Sequence, residues 1–157
     1  MRVGVTGHIK LTAPSIPLIY VALIQALRRF PSVHGVTCLA MGSDELFVRA
    51  VRATRGTYEV VLPARDYISH HARDGGGRRV RRLLKRANRV SYAPFEKSGE
   101  NAYAEASREL LRRCEHVVAV WDGRPGGGPG GTAETVALAR RLGIPVTVIW
   151  PAGAARR

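Results

Sequence analysis

Two cysteines in 157 residues, Cys38 and Cys114, are too few and too far apart for a disulfide framework or a metal knuckle. Cys38 lies in the apolar run Val36-Thr37-Cys38-Leu39-Ala40 and Cys114 closes a helical pattern, so both read as small packing thiols. Neither has an adjacent base to make it a nucleophile. Long apolar runs are missing as well: none approaches the ~18 residues of a membrane span. The opening Met1-Arg2-Val3-Gly4-Val5 reads directly as a strand, without the apolar region and cleavage site of a leader. These absences set the expectation of a cytoplasmic protein without membrane association. Lysine is nearly absent too. Only Lys10, Lys85 and Lys97 occur, so 22 of the 25 basic residues are arginine, and the net charge is +13. Such a charge invites a nucleic-acid partner, but an arginine bias also follows from GC-rich coding, and the charges concentrate on helical segments, where solvated faces belong.

What is present is a regular alternation. Short valine-rich strands are expected at 2–6, 36–40, 58–63, 89–92, 116–121 and 145–150, apolar throughout rather than alternating, as in strands covered on both faces. Helical patterns fall between them at 16–30, 44–54, 78–85, 102–113 and 132–142. In the first, Pro14 and Pro17 suit the start and Pro31 the stop. Gly143 is the expected C-cap of the last. The fold class is therefore α/β: a Rossmann-like, doubly wound, mainly parallel sheet of about six strands flanked by helices. Residues 1–151 form one domain, with 152–157 a short, frayed tail.

Ligands of such sheets bind outside the carboxyl ends of the strands, where strand order reverses. Three loops at that edge are unusual. Thr6-Gly7-His8-Ile9-Lys10 follows the first strand, and Gly42-Ser43-Asp44 follows the second. Ser43 or Asp44 would also serve simply as an N-cap. The third loop is the run Gly126-Gly127-Gly128-Pro129-Gly130-Gly131-Thr132-Ala133-Glu134, between the fifth strand and the last helix. Glycines there let the backbone approach a ligand, and the first-turn amides of the helix favour an anion, most often a phosphate. The segment 66–74, expected as a loop, carries Asp66, His70, His71 and Asp74, which is weak evidence for a metal, so no metal site is assigned. In 78–89 the residues Val80, Leu83, Leu84 and Ala87 share one face, leaving Arg78, Arg79, Arg81, Arg82, Lys85 and Arg86 on the other.

Val3-Gly4-Val5-Thr6-Gly7-His8, Gly42-Ser43-Asp44 and Gly130-Gly131-Thr132-Ala133-Glu134 together resemble the SLOG superfamily, over residues 2–150. That superfamily of Rossmann-like domains includes the DNA-processing protein DprA and the LOG cytokinin-activating enzymes. The resemblance implies a pocket for a nucleotide or nucleotide-derived ligand, lined by Gly7, His8, Gly42, Ser43, Asp44, Gly130, Gly131 and Thr132, with no resident cofactor. It also implies a homo-oligomer. LOG enzymes cleave the N-glycosidic bond of a nucleoside 5′-monophosphate with Pro-Gly-Gly-x-Gly-Thr-x-x-Glu and an Arg-Lys pair on the preceding helix. Here the loop lacks the x-Gly insertion, only one residue separates Thr132 from Glu134, and the pair falls on Ala106 and Ser107 with Arg108 one place on. An enzyme of this type would use Glu134 and Arg108. A third reading is DprA-like nucleic-acid binding through the basic 78–86 face.

Overall fold

The structure, a computed structural model, describes residues 1–73 and 75–157. Its elements run β1 (Arg2–Gly7), α1 (Ser15–Leu27), β2 (His34–Thr37), α2 (Ser43–Ala53), β3 (Thr57–Leu62), α3 (Tyr67–Ala72), α4 (Gly77–Lys85), β4 (Arg89–Tyr92), α5 (Glu100–Arg113), β5 (His116–Val120), α6 (Thr132–Arg141) and β6 (Val146–Ile149). The strands form one six-stranded sheet in the order β4-β3-β2-β1-β5-β6. Every pairing is parallel. The expected doubly wound α/β architecture is the one observed.

Strand parity divides the core. Val3 and Val5 of β1, Tyr58, Val60 and Leu62 of β3, and Val118 and Val120 of β5 point to one face, where they meet Ile19, Leu23 and Leu27 of α1, Phe47 of α2 and Val80 of α4. Val36, Val61 and Val117 point to the other, against Ala106, Leu110 and Leu111 of α5 and Ala139 of α6. Burial on both faces explains why the inner strands read as continuous apolar runs. The edge strands β4 and β6 are only partly covered.

Three expectations are revised. The second strand lies at 34–37 rather than 36–40, because the chain turns out of the sheet at Leu39 (φ 54°) and directs the amides of residues 38–40 toward Asp44. Part of the segment expected as a loop over 66–74 forms the short helix α3; Asp74 lies outside the described residues. The tail expected to fray is pinned instead. Leu11 pairs with Arg156 in an antiparallel bridge, and the Thr12 N–H donates to the Ala155 carbonyl at 3.1 Å.

At the amino edge of the sheet, Glu59 is buried and gathers three donors. Arg2 lies 2.9 Å from Oε2, His34 Nε2 lies 2.8 Å from the same oxygen, and Arg113 lies 3.1 Å from Oε1. Burial alone would push this carboxyl up, but the bonds from His34, Arg2 and Arg113 outweigh it and hold the pKa at about 2. A carboxyl depressed on folding stabilises the protein above its unfolded pKa and stops doing so as pH falls through the folded one. Glu59→Gln is therefore expected to cost about 2 kcal/mol at pH 7, discounted because Arg2 is well exposed. Denaturant midpoints measured between pH 5 and pH 2 should fall less steeply in the variant. Parallel curves would show that the cluster contributes nothing through charge.

Candidate functional site at the carboxyl edge

From β1 the chain runs outward through β2 and β3 to β4, then returns through α5 to β5 on the other side of β1. The reversal opens a crevice above β1 and β5, the place where this architecture leaves strand-end loops free to diverge. His8 follows β1 directly. Its Nε2 accepts the Asp122 N–H at 3.1 Å, and its ring stands edge-on to Trp150, with centroids 5.4 Å apart. Burial and the Arg156 charge lower its pKa against the opposing pull of Asp122, which fits a neutral ring whose Nε2 is an acceptor.

The Gly42-Ser43-Asp44 turn supports that loop. Ser43 is fully buried, and its Oγ donates to the His8 carbonyl at 2.6 Å. Gly42 packs on the backbone of Ile9. Neither residue lines the crevice; within the trio, Asp44 does. Asp44 is buried and accepts the Thr37 hydroxyl at 2.7 Å together with amides of residues 38–40. Burial nevertheless dominates and raises its pKa to about 7, so near neutrality it is partly an uncharged acid.

The glycine-rich loop closes the opposite wall. The Trp121 Nε1–H donates to the Arg124 carbonyl at 2.9 Å, and the Asp122 carboxylate accepts the Arg124 N–H at 3.0 Å, which fixes the loop's first turn. At its far end Gly130 and Gly131 lead into α6. The first-turn amides of Thr132, Ala133 and Glu134 have no helical carbonyl behind them. Gly130, Gly131 and Thr132 all line the cavity, as do Gly7 and His8. Glu134 does not: it is exposed, and its Oε2 accepts the Gly130 N–H at 3.0 Å, a bond that closes the turn.

The cavity between these walls measures about 460 Å³. Helix α5 presents Tyr103, Ala106, Ser107 and Leu110 to it, an i, i+3, i+4, i+7 stripe. The two positions on which the LOG Arg-Lys pair falls thus do face the cavity, but they are Ala106 and Ser107. Arg108 sits one helical step away, outside the lining, and pairs with Glu105 at 3.0 Å. Likewise the third position after Thr132 faces inward, but it is Thr135, whose hydroxyl donates to the Gly131 carbonyl at 2.9 Å. Glu134 and Arg108 are therefore not brought together with the other site residues.

Lys10 of the first loop also lines the cavity, and several lining residues lie outside the three quoted motifs: Cys38, Tyr67, Tyr103, Trp121 and the cationic Arg124, Arg156 and Arg157. Periodicity along α5 could have signalled Tyr103. Tyr67 arrives on α3 and is locked by its Oη–H donating to the Leu39 carbonyl at 2.8 Å. Cys38 is no nucleophile here, since burial raises its pKa far above neutrality. Among the described residues no group of three His, Cys, Asp or Glu side chains is placed to hold a metal. Asp66 instead accepts the Ser98 amide and hydroxyl at 2.8 and 2.7 Å. No helix among the described residues is long and apolar enough to cross a membrane. The arrangement offers backbone amides and cations to an anion, aromatic and aliphatic walls to a flat group, and one half-ionised carboxyl.

No protein-family model matches the sequence, and no curated protein matches it either. Solved structures do. DNA processing protein A (DprA) from Helicobacter pylori, described for its single-stranded DNA binding mode, is 13% identical with a TM-score of 0.69, over 99% of this chain and 68% of that one. DprA from Streptococcus pneumoniae is 20% identical with a TM-score of 0.66, over 97% of this chain and 51% of that one. The present chain thus spans about half the length of the latter protein. The molybdenum cofactor carrier protein of Chlamydomonas reinhardtii is 18% identical with a TM-score of 0.57, over 94% of this chain and 74% of that one. At these identities the likeness shows the fold alone, a Rossmann-like parallel α/β sheet flanked by helices.

Proposed function

We propose that this chain binds a nucleotide or nucleotide-derived ligand in the cavity above β1 and β5. One observation carries the reading: a cavity of about 460 Å³ at the strand-order reversal, walled by the glycine-rich start of α6 on one side and the His8 loop on the other, with cations at its mouth. In this reading Gly130 and Gly131 shape the turn, their own N–H groups donating to Glu134 Oε2 and the Gly128 carbonyl. A phosphate is held by the first-turn amides of Thr132 and Ala133 and by the Thr132 hydroxyl, which makes no hydrogen bond to any described residue. Asp44 faces a sugar hydroxyl, Tyr67 and Tyr103 flank the base, and Gly7 and His8 close the floor. Gly42 and Ser43 serve by holding the His8 loop. Calorimetry against the mono- and diphosphates of adenosine and guanosine is the test. Binding that weakens about tenfold in Thr132→Val is expected, as for loss of one hydrogen bond to a charged group. No binding at millimolar ligand overturns the reading.

Binding without turnover fits the site better than N-glycosidic hydrolysis, because the inward positions of α5 and α6 carry Ala106, Ser107 and Thr135 while Arg108 and Glu134 face outward. Incubation with nucleoside monophosphates is expected to release no free base. Release that Glu134→Gln abolishes would reverse this. Nucleic-acid binding through Arg78, Arg79, Arg81, Arg82, Lys85 and Arg86 is a separate reading, supported by their exposure on α4 and its C-cap, with Arg79 paired to Glu45, and by the DNA-binding neighbour. It requires a steeply salt-dependent shift of a labelled single strand.

A further inference from the structure

Two of the four cations at the cavity mouth arrive by a route independent of the strand–helix loops. Arg156 and Arg157 stand on the segment after β6, which crosses back over the 10–12 loop. The Ala155 N–H donates to Ser15 Oγ at 2.8 Å, and the Arg157 N–H donates to the Lys10 carbonyl at 3.0 Å. Ser15 is fully buried, so this strap is anchored at the first turn of α1. Arg156 Nε also lies 2.8 Å from the Asp122 carboxylate, tying the strap to the start of the glycine-rich loop.

The pairing of Arg156 leaves a surplus. Lys10, Arg124 and Arg157 form no ion pair with any described residue, and Asp44, the one Asp or Glu among the described residues that line the cavity, is occupied by Thr37 and backbone amides. Like charges held at one mouth repel, and folding gains nothing by collecting them there; an arriving polyanion reverses the sign of that interaction. The first-turn amides of α6 already suffice for one phosphate. The strap and its neighbours therefore have charge to spare for another.

We propose that the 154–157 strap, with Lys10 and Arg124, forms a second anionic subsite, so that the cavity selects ligands carrying a diphosphate or longer chain over monophosphates. This rests on the nucleotide reading above and specifies its ligand class. Calorimetry with inorganic phosphate, pyrophosphate and tripolyphosphate, and with the mono- and diphosphates of adenosine and guanosine, tests it. Pyrophosphate is expected to bind about tenfold or more tightly than phosphate, and each nucleoside diphosphate to exceed its monophosphate by a similar factor. Both increments should vanish in Arg156→Gln/Arg157→Gln and shrink in Arg157→Gln alone, which breaks no ion pair. The exposed Arg28→Gln, at the end of α1, carries the same charge change as Arg157→Gln alone and should keep them. Equal binding of mono- and diphosphates, an increment that survives in the double variant, or one lost equally in Arg28→Gln overturns the strap's role. Nucleotides that bind no tighter than pyrophosphate, with the increment intact, would instead overturn the nucleotide reading and leave the strap standing.

Discussion

Gly130→Ala is expected to weaken nucleoside diphosphate binding by about 100-fold while leaving the protein folded, the loss of two charge-assisted hydrogen bonds. Gly130 has φ +75°, in the left-handed region. A Cβ there would lie 2.7 Å from the Tyr103 carbonyl carbon and 2.8 Å from the Ala104 nitrogen. Both are backbone atoms of α5, whose Ala102, Ala104 and Ala106 are buried, so the helix cannot give way. The loop must move instead, carrying the first-turn amide and the hydroxyl of Thr132 away from the phosphate. The left-handed conformation adds about 1–2 kcal/mol of strain for an L-residue, so a stability loss of about 2 kcal/mol should accompany the affinity loss. Gly99→Ala is the control, because its backbone is extended and a Cβ there meets nothing within 4 Å. Calorimetry and thermal denaturation of the two variants make the comparison. Full affinity in folded Gly130→Ala would remove the glycine-rich loop from the binding site.

Asp44→Asn is expected to abolish a stability slope between pH 4 and pH 7. Burial raises the folded pKa of Asp44 from an ordinary 3.8 to about 7, against the opposing hydrogen bonds of Thr37 and the amides of Ala40, Cys38 and Leu39. Across that window the folded state binds a proton that the unfolded state has lost. Stability from this group is therefore greatest below pH 4 and declines as pH rises to 7, by about 1.4 kcal/mol per unit and on the order of 4 kcal/mol in all. Asparagine has no such titration. Its amide can still accept from the 38–40 backbone and donate to Thr37, with one acceptor oxygen fewer. Denaturant midpoints at half-unit pH intervals should slope downward in the parent and lie flatter in the variant, the curves crossing so that the variant is the more stable above pH 7. Parallel curves would mean that Asp44 ionises normally. The same charge bears on function: ionised Asp44 repels an anionic ligand, so affinity for a nucleoside diphosphate should fall above pH 7 in the parent and hold steady in the variant.

The glycine-rich loop and the His8 loop were legible because their signals are local. A strand followed by glycines and then by a helix pattern names its own place at the carboxyl edge, whatever surrounds it. The roles inside the second turn were not legible. Ser43 and Asp44 are adjacent, yet one hydroxyl is consumed by the His8 carbonyl and the neighbouring carboxyl faces the cavity. Only packing decides that. The reading of Glu134 was limited by phase: a single helical step separates an inward side chain from an outward one, and Thr135 and Glu134 lie on opposite sides of that boundary.

The sequence by itself determined the alternation of strands and helices, α3 apart, and a mainly parallel sheet, because burial on both faces imposes continuous apolar strands and valine spacing records it. It also determined that the catalytic pair of the LOG enzymes is missing, since the residue types are simply not there. Tertiary structure alone decided which cations meet at the cavity. Arg156 lies 34 positions from Asp122, within a tail whose own composition predicts fraying, yet it ends 2.8 Å from that carboxylate. Its position depends on Ser15 being buried in α1 and on the 10–12 loop offering a backbone edge, conditions set by distant segments and invisible in the tail's own residues.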